Sequence, residues 1–296
     1  MTPGTSRTIP AALIEACRAA GLPWEDAHPL RIAENQTWLL PGTVVARVTQ
    51  PGQDRAAAGE VQAARWLTGH QVPVVRPLDI HQPVIADGHP VTFWEHIPGP
   101  HTPGSPLDLA RTLKHLHGLP RPPFPVRPLD PFVRIPERLD AASTLPAPDR
   151  AWLSGLLDDL RTQWTGHRPA GRSETTVHGD SWPGNIIRTT TGVRVLDLER
   201  FSLGPPEWDL VSTAVRTFTT GATTTAEYAE FSTAYGQDVT EWDGYPLLAA
   251  ARELRMTTYA AQHAATDPRW HDQAQYRVDC LRGRHGPRPW TWNGIL

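Results

Sequence analysis

The sequence is poor in lysine and cysteine and has no long apolar run, and each shortage narrows the chemistry open to it. Of 28 basic residues only Lys114 is a lysine, so a working cation elsewhere must be arginine or histidine. Cys17 and Cys280 are the only cysteines, and two so far apart in sequence make neither a disulfide framework nor a zinc site. No apolar stretch approaches the roughly 20 residues that cross a bilayer. Met1 to Pro10 lacks the charged-then-apolar pattern of a secretory leader, so the expected location is the cytoplasm. A formal net charge of −3 offers no basic footprint for nucleic acid or an anionic membrane.

What is present suits a folded protein. The 296 residues are 39% hydrophobic and 20% charged, enough for two lobes sharing a cleft. Ile9 to Ala20 carries Leu13, Ala16, Cys17 and Ala20 at helical spacing and ends at Gly21. Thr37 to Leu40 and Thr43 to Thr49 flank Pro41-Gly42, a hairpin signal. Arg55 to Leu67 predicts a helix with Ala58, Val61, Ala64, Trp66 and Leu67 as its apolar stripe. Part of Val74 to Ile80, and Val91 to Ile97, predict further strands. Pro98-Gly99-Pro100 marks the expected boundary, giving lobes of residues 1–98 and 99–296.

Beyond it, Pro106 to His117 predicts a helix, whereas Leu119 to Pro148 holds nine prolines and predicts mostly irregular chain. Arg150 to Trp164, Glu207 to Arg216, Thr224 to Tyr235, Leu247 to Ala264 and Arg269 to Leu281 predict helices. Thr176-Val177, Ile186-Ile187 and Val193 to Leu198 predict short strands. The fold class expected is α+β: a small antiparallel sheet with one packed helix, followed by a larger, mainly helical part.

The chemistry is concentrated in His178-Gly179-Asp180-Ser181-Trp182-Pro183-Gly184-Asn185, followed by Asp197-Leu198-Glu199. Phosphoryl transfer needs a carboxylate to orient a hydroxyl and take its proton, and metal ions to neutralise the β- and γ-oxygens. Magnesium takes oxygen ligands, one or two of them from protein. Asp180 opens a loop that Asn185 closes, with Pro183-Gly184 supplying a turn between them. Asp197 ends an apolar run, the usual place for a carboxylate at a strand end. Taken singly, each of these residues could be a loop cap or a packed side chain.

As an ordered set, H-G-D-x-x-x-x-N followed by D-x-E resembles the aminoglycoside phosphotransferase and choline kinase superfamily, of protein-kinase-like bilobal fold. The resemblance implies Asp180 as catalytic base with His178 in support, Asn185 and Asp197 as magnesium ligands, and ATP or GTP as phosphate donor. Glu199 could reach the metal or stand behind its ligands. Gly204 to Leu210 is similar to the family's G-x-x-x-x-D-L segment, in which Asp209 would brace the catalytic loop.

The resemblance also implies a nucleotide-binding first lobe. Arg47, in Val44-Val45-Ala46-Arg47-Val48, stands where the family has its phosphate-binding lysine, and Glu60 where its paired glutamate lies. Read alone, the two could equally be solvent-facing charges. No G-x-G-x-x-G is present; Arg31 to Thr37, with Glu34 and Asn35, falls where the phosphate-covering loop belongs. Trp94, Glu95 and Ile97 resemble the hinge whose backbone would bind the purine.

The acceptor implied is a small hydroxylated molecule: an aminoglycoside-like antibiotic, a sugar or another metabolite. Glu227, Glu230 and the acidic residues up to Asp243 could form a cationic-substrate wall or a solvated helix face. Trp182 could stack on an acceptor ring or pack in the core. Two other readings stand beside the kinase one. A nucleotide-binding regulatory pseudokinase is left open by Arg47 and the missing glycine loop. A metal-dependent hydrolase on His178, Asp180, Asp197 and Glu199 would lack the histidine clustering of transition-metal sites.

Overall fold

A computed structural model describes residues 8–32, 35–166 and 171–293. The chain runs α1 (Ala11–Ala20), β1 (His28–Ile32), β2 (Gln36–Leu40), β3 (Val44–Val48), α2 (Asp54–Gly69), β4 (Val84–Ala86), β5 (His89–Glu95) and β6 (Thr102–Pro103). It continues with α3 (Pro106–His117), α4 (Ile135–Ala141), α5 (Ala147–Gly166), β7 (Thr175–Val177), β8 (Ile186–Thr189), β9 (Gly192–Val195) and β10 (Ser202–Gly204). Four helices close it: α6 (Glu207–Phe218), α7 (Thr225–Tyr235), α8 (Tyr245–Ala264) and α9 (His271–Leu281). Among the described residues no helix is long and apolar enough to cross a membrane. The antiparallel N-terminal sheet and helical C-terminal part are the α+β class expected. Two units emerge: one takes the chain up to Ser105 with Pro122–Val126 and Pro183–Phe201, the other Pro106–Arg121, Arg127–Trp182 and everything from Ser202 onward.

In the first unit the strands form an antiparallel sheet in the order β1-β2-β3-β5-β4. The β2–β3 hairpin turns at Pro41-Gly42-Thr43, with Gly42 at φ 80°, a conformation glycine adopts without steric cost. Ala12, Leu13, Ala16 and Cys17 of α1 pack against Trp38, Leu40, Ala46, Val91 and Phe93 of the sheet. Leu13 has no exposed surface, so its truncation to alanine would cost roughly 2–5 kcal/mol. Helix α1 stops at Gly21, which is left-handed at φ 68°. A second small sheet, β6-β8-β9, belongs to the same unit, with Val75 donating its N–H to Val195 O at 3.0 Å.

Three expectations for this unit change. The buried face of α2 is Ala57, Glu60, Val61, Ala63, Ala64 and Leu67; Ala58 is exposed and Trp66 half-buried. The stripe is rotated by about one position, which brings Glu60 onto the core face. Residues 74–80 form no strand, only isolated bridges at Val74 and Pro77, because Pro73 and Pro77 have no N–H to donate to a ladder. The run after Gly192 leaves the sheet at Val195: Asp197 takes left-handed angles (φ 57°, ψ 70°) and a 3-10 turn, Leu198–Arg200, follows.

The second unit is helical around α8, which packs against α4, α5, α6 and α9. Its Ala-rich sequence lets neighbours approach closely, and Ala251, Leu254, Ala260 and Ala261 are fully buried. A two-stranded ribbon pairs Val177 of β7 with Ser202 of β10. Gly204 ends the ribbon under Leu129: a Cβ there would sit 2.6 Å from the Leu129 Cβ, so only glycine fits. The proline-rich segment is mostly irregular, as expected. It contains α4, with Pro136 in the first turn where a missing N–H costs nothing, and the start of α5.

Candidate active site

The catalytic-loop candidates of the second unit hang from one buried carboxylate. Asp209, in the first turn of α6, has no exposed surface. It accepts the backbone N–H of His178 at 2.7 Å and of Gly179 at 3.0 Å, and meets His117 Nε2 at 3.0 Å. Ser181 Oγ donates to the Asp209 backbone carbonyl at 2.7 Å, and Trp208 Nε1 donates to Gly179 O at 2.9 Å. Burial pushes the Asp209 carboxyl up, but hydrogen bonding and charge from His117, with His178, outweigh it and hold the group below its ordinary value. His178 is buried, and its Nδ1 accepts the Asp180 backbone N–H at 3.3 Å, a supporting place for this ring.

Asp180 follows, its side chain 34% exposed. Arg252 Nη1 of α8 donates to its Oδ1 at 2.9 Å, and Arg255 Nη2 lies 3.7 Å from the same oxygen. Arg252 also donates to Ser212 Oγ, and both guanidinium groups lie about 5.4–5.5 Å from the centroid of the Trp208 ring. Sequence reading missed Arg252 and Arg255 as site residues. The available signal was Arg252-Glu253-Leu254-Arg255, three charges that follow the apolar run Leu247–Ala251 inside α8, where all three are buried.

The first unit carries the remaining candidates. Arg47 Nη1 meets both carboxylate oxygens of Glu60 at 2.9 Å, and Arg47 Nη2 lies 3.3 Å from Glu199 Oε2. The Glu60 carboxyl is raised to about 7: burial drives the rise and Asp197 and Glu199 add to it, outweighing the downward pull of Arg47 and the Leu198 N–H. For Arg47 burial acts downward, yet Glu60, Asp197 and Glu199 together lift the guanidinium above its ordinary value. Asn185 closes a 3-10 turn, Pro183–Asn185, with its side chain buried. Its carbonyl accepts the Leu196 N–H at 2.9 Å, fastening it to the residue before Asp197.

Asp197 is exposed, and aspartate is among the few residues that tolerate the left-handed backbone found there. Among the described residues no group of three His, Cys, Asp or Glu side chains could hold a metal unaided. Magnesium at a phosphate site needs only one or two protein oxygens, with phosphates and water completing the octahedron. The hard oxygen donors of Asn185 and Asp197, tied through Leu196, fit that need.

Asn35 is half-buried, and its Oδ1 is buried with no hydrogen-bond partner among the described residues; Glu34 beside it lies outside them. The Trp94 indole is buried and donates to Thr92 Oγ1 at 2.9 Å. In the hinge-like segment Glu95 N–H donates to Arg76 O at 2.8 Å, and Ile97 O contacts His101 Nε2 at 2.8 Å. A cavity of about 220 Å³ adjoins this segment, lined in part by Val74, Arg76, Glu95, Ile97 and Arg194.

Of the acceptor candidates, Trp182 is 37% exposed, with the Arg216 guanidinium 5.5 Å from its ring centroid. Glu227 accepts both the N–H and the hydroxyl of Thr224, forming the capping box of α7, and Glu230 is exposed on the same helix.

A family model described as the phosphotransferase enzyme family matches residues 26–254. No curated protein matches the sequence. Solved structures do. A choline/ethanolamine kinase family protein from Mesorhizobium loti aligns with a TM-score of 0.60 at 21% identity, over 86% of this chain and 87% of that one. An aminoglycoside phosphotransferase from Streptomyces rimosus aligns at 0.61 and 21% identity, over 82% and 97%. The choline kinase LicA from Streptococcus pneumoniae aligns at 0.65 and 15% identity, over 93% and 99%. Identities this low speak to the fold alone, and it is the protein-kinase-like one. With the family model spanning most of its length, the chain belongs to the phosphotransferase enzyme family.

Proposed function

We propose that the protein is a small-molecule O-phosphotransferase, moving the γ-phosphate of ATP or GTP onto a hydroxyl of a small acceptor. The observation that carries this reading is Arg47. Its guanidinium is gripped through one nitrogen by both oxygens of Glu60 and reaches Glu199, two residues past Asp197, through another. A cation oriented by a helix carboxylate beside a candidate metal ligand is the arrangement that binding a triphosphate demands. Arginine serves the role in forked geometry, which suits paired phosphate oxygens.

Each residue then has a task. Asp180 orients the acceptor hydroxyl and takes its proton as the new O–P bond forms and the bond from the γ-phosphorus to the β–γ bridging oxygen breaks, releasing nucleoside diphosphate, while Arg252 fixes the carboxylate through Oδ1. His178 and Asp209 hold the loop that presents Asp180. Magnesium, held by Asn185 and Asp197, would neutralise charge on the β- and γ-phosphate oxygens. Trp94, Glu95 and Ile97 border the purine, and Asn35 faces the phosphates. An aminoglycoside-like antibiotic, a sugar or another metabolite is the acceptor class we propose, a reading supported by the Streptomyces rimosus neighbour, which was also solved with ADP and streptomycin. An antibiotic acceptor would make the protein a resistance enzyme.

The test is magnesium-dependent release of nucleoside diphosphate with a panel of hydroxylated compounds, each followed by mass spectrometry for the gain of one phosphoryl group. Transfer abolished by Asp180→Asn is the expected result. Nucleotide binding with no transfer to any compound would favour a regulatory role instead.

A further inference from the structure

Three arginines of the second unit gather around the Asp180 loop. Asp180 contacts Arg252 at 2.9 Å and Arg255 at 3.7 Å. A third arginine, Arg216, extends from α6 one helical turn beyond Ser212, the residue whose hydroxyl accepts from Arg252. Residues four apart share a helix face, so Arg216 and Arg252 are neighbours. Arg216 lies over the Trp182 ring, two residues past Asp180. Among the described residues it forms no ion pair, and its Nε is buried with no hydrogen-bond partner.

The charge Arg216 feels is of its own sign. Burial, then repulsion from Arg252, lowers its pKa below the ordinary value. Arg216 is half-buried, and a guanidinium partly withdrawn from water beside another guanidinium is stabilised when an anion completes the site. Other arginines of this unit have partners: the exposed Arg288 grips Glu253, the half-buried Arg282 meets Asp149, and the buried Arg277 donates to the backbone carbonyls of Met256 and Asn293. Stacking on a tryptophan that is partly exposed does not neutralise charge. It does leave a flat, positively charged shelf beside the carboxylate assigned as base.

We propose that the acceptor is a hydroxylated anion, an alcohol bearing a carboxylate or phosphate group, which Arg216 binds with the help of Arg252 while Trp182 covers its carbon skeleton. The inference rests on the phosphotransferase reading of Asp180. It reverses the substrate charge suggested by neighbours named for aminoglycosides and choline. A polycation would meet three guanidinium groups, whereas an anion would find forked donors already oriented. Arg216 is a specificity residue here, with no part in proton transfer.

Four related compounds test it: glucose, gluconate, glucose 6-phosphate and kanamycin. Their binding to the whole chain is measured by calorimetry with magnesium and ADP present, so that the nucleotide phosphates fill their own site. At least one of the two anions should bind at least tenfold more tightly than glucose or kanamycin, and which one distinguishes carboxylate from phosphate. Arg216→Gln should weaken that anion tenfold or more, and Arg216→Lys should restore part of the loss. Glucose or kanamycin binding as tightly as either anion overturns the inference. So does unchanged anion affinity in a folded Arg216→Gln protein. If that variant does not fold, the wild-type series decides. Phosphate transfer is followed separately: transfer to glucose or kanamycin alone sinks the anionic acceptor and leaves the phosphotransferase standing, whereas anion binding without any transfer sinks both.

Discussion

The backbone N–H of His178 ends 2.7 Å from Oδ2 of Asp209, and 31 residues of chain are closed by that contact. Because Gly179 N–H reaches the other oxygen, the entry to the Asp180 loop hangs from a single side chain. Asp209→Asn would put an amide where two donors converge, and one N–H would lose its acceptor. A loss of about 3 kcal/mol in urea unfolding is expected. The pH dependence follows from the depressed carboxyl. A group whose folded-state pKa lies below its ordinary 3.8 contributes stability above that value and loses it as pH falls through the folded one. The acid limb of the wild-type stability curve should therefore be steeper than that of the variant. Equal slopes would remove Asp209 from the acid transition.

Asp180→Asn separates chemistry from binding. The carboxylate is partly exposed, and an amide oxygen can still accept from Arg252, so the fold should tolerate the change. Loss of a general base lowers kcat by roughly 10²- to 10⁴-fold. Nucleotide affinity, read by fluorescence titration, should move by less than about threefold, because the phosphate-binding candidates are other residues. A variant that keeps wild-type kcat would strip Asp180 of the base role.

What the sequence made legible was local. His178 to Asn185 lies within one loop, and the order of Asp197 and Asp209 after it survives any uncertainty in strand ends. Arg47 and Glu60 were legible as a pair through order alone; the physical reason they meet is that Glu60 sits at i+3 from Ala57 and one before Val61, on the buried stripe of α2. Asp87-Gly88, both at positive φ, is the tight turn that joins β4 to β5, a hairpin signal that the sequence contains and a reading by strand length passes over. The Asp180–Arg252 pair was not legible. It spans 72 residues, and an ion pair between a loop and a distant helix leaves no spacing to read. Arg216 was hidden in the same way, since only burial beside Trp182 makes it unusual.

Asp197 has a backbone role and a proposed metal role, and two substitutions divide them. Asn tolerates the left-handed backbone at φ 57° nearly as well as Asp, whereas alanine there costs about 1 kcal/mol. Asp197→Asn should keep wild-type melting and Asp197→Ala should melt a few degrees lower. Both remove a carboxylate, so both should weaken magnesium-dependent nucleotide binding by roughly tenfold or more. Binding measured with excess chelator should be the same in all three proteins. A variant that binds magnesium nucleotide as wild type does would exclude Asp197 as a ligand.

Glu60 gives the sharpest contrast between stability and function. Its carboxyl is raised to about 7 by burial, so the folded state holds a proton that the unfolded chain releases near 4.5. The sign follows: the favourable contribution is complete below 4.5 and is lost as pH rises through about 7. Across that window the nucleotide-free wild type should lose up to roughly 3 kcal/mol from this group. Glu60→Gln, a permanent mimic of the protonated form, should lack that slope and gain on wild type between pH 5 and pH 8. Its function should move the opposite way. Without the carboxylate, Arg47 loses the partner that orients it, and KM for the nucleotide should rise about tenfold at pH 8 with kcat less affected. A Glu60→Gln protein that is both less stable than wild type at pH 8 and unchanged in nucleotide KM would mean that the pair is a structural clamp and nothing more.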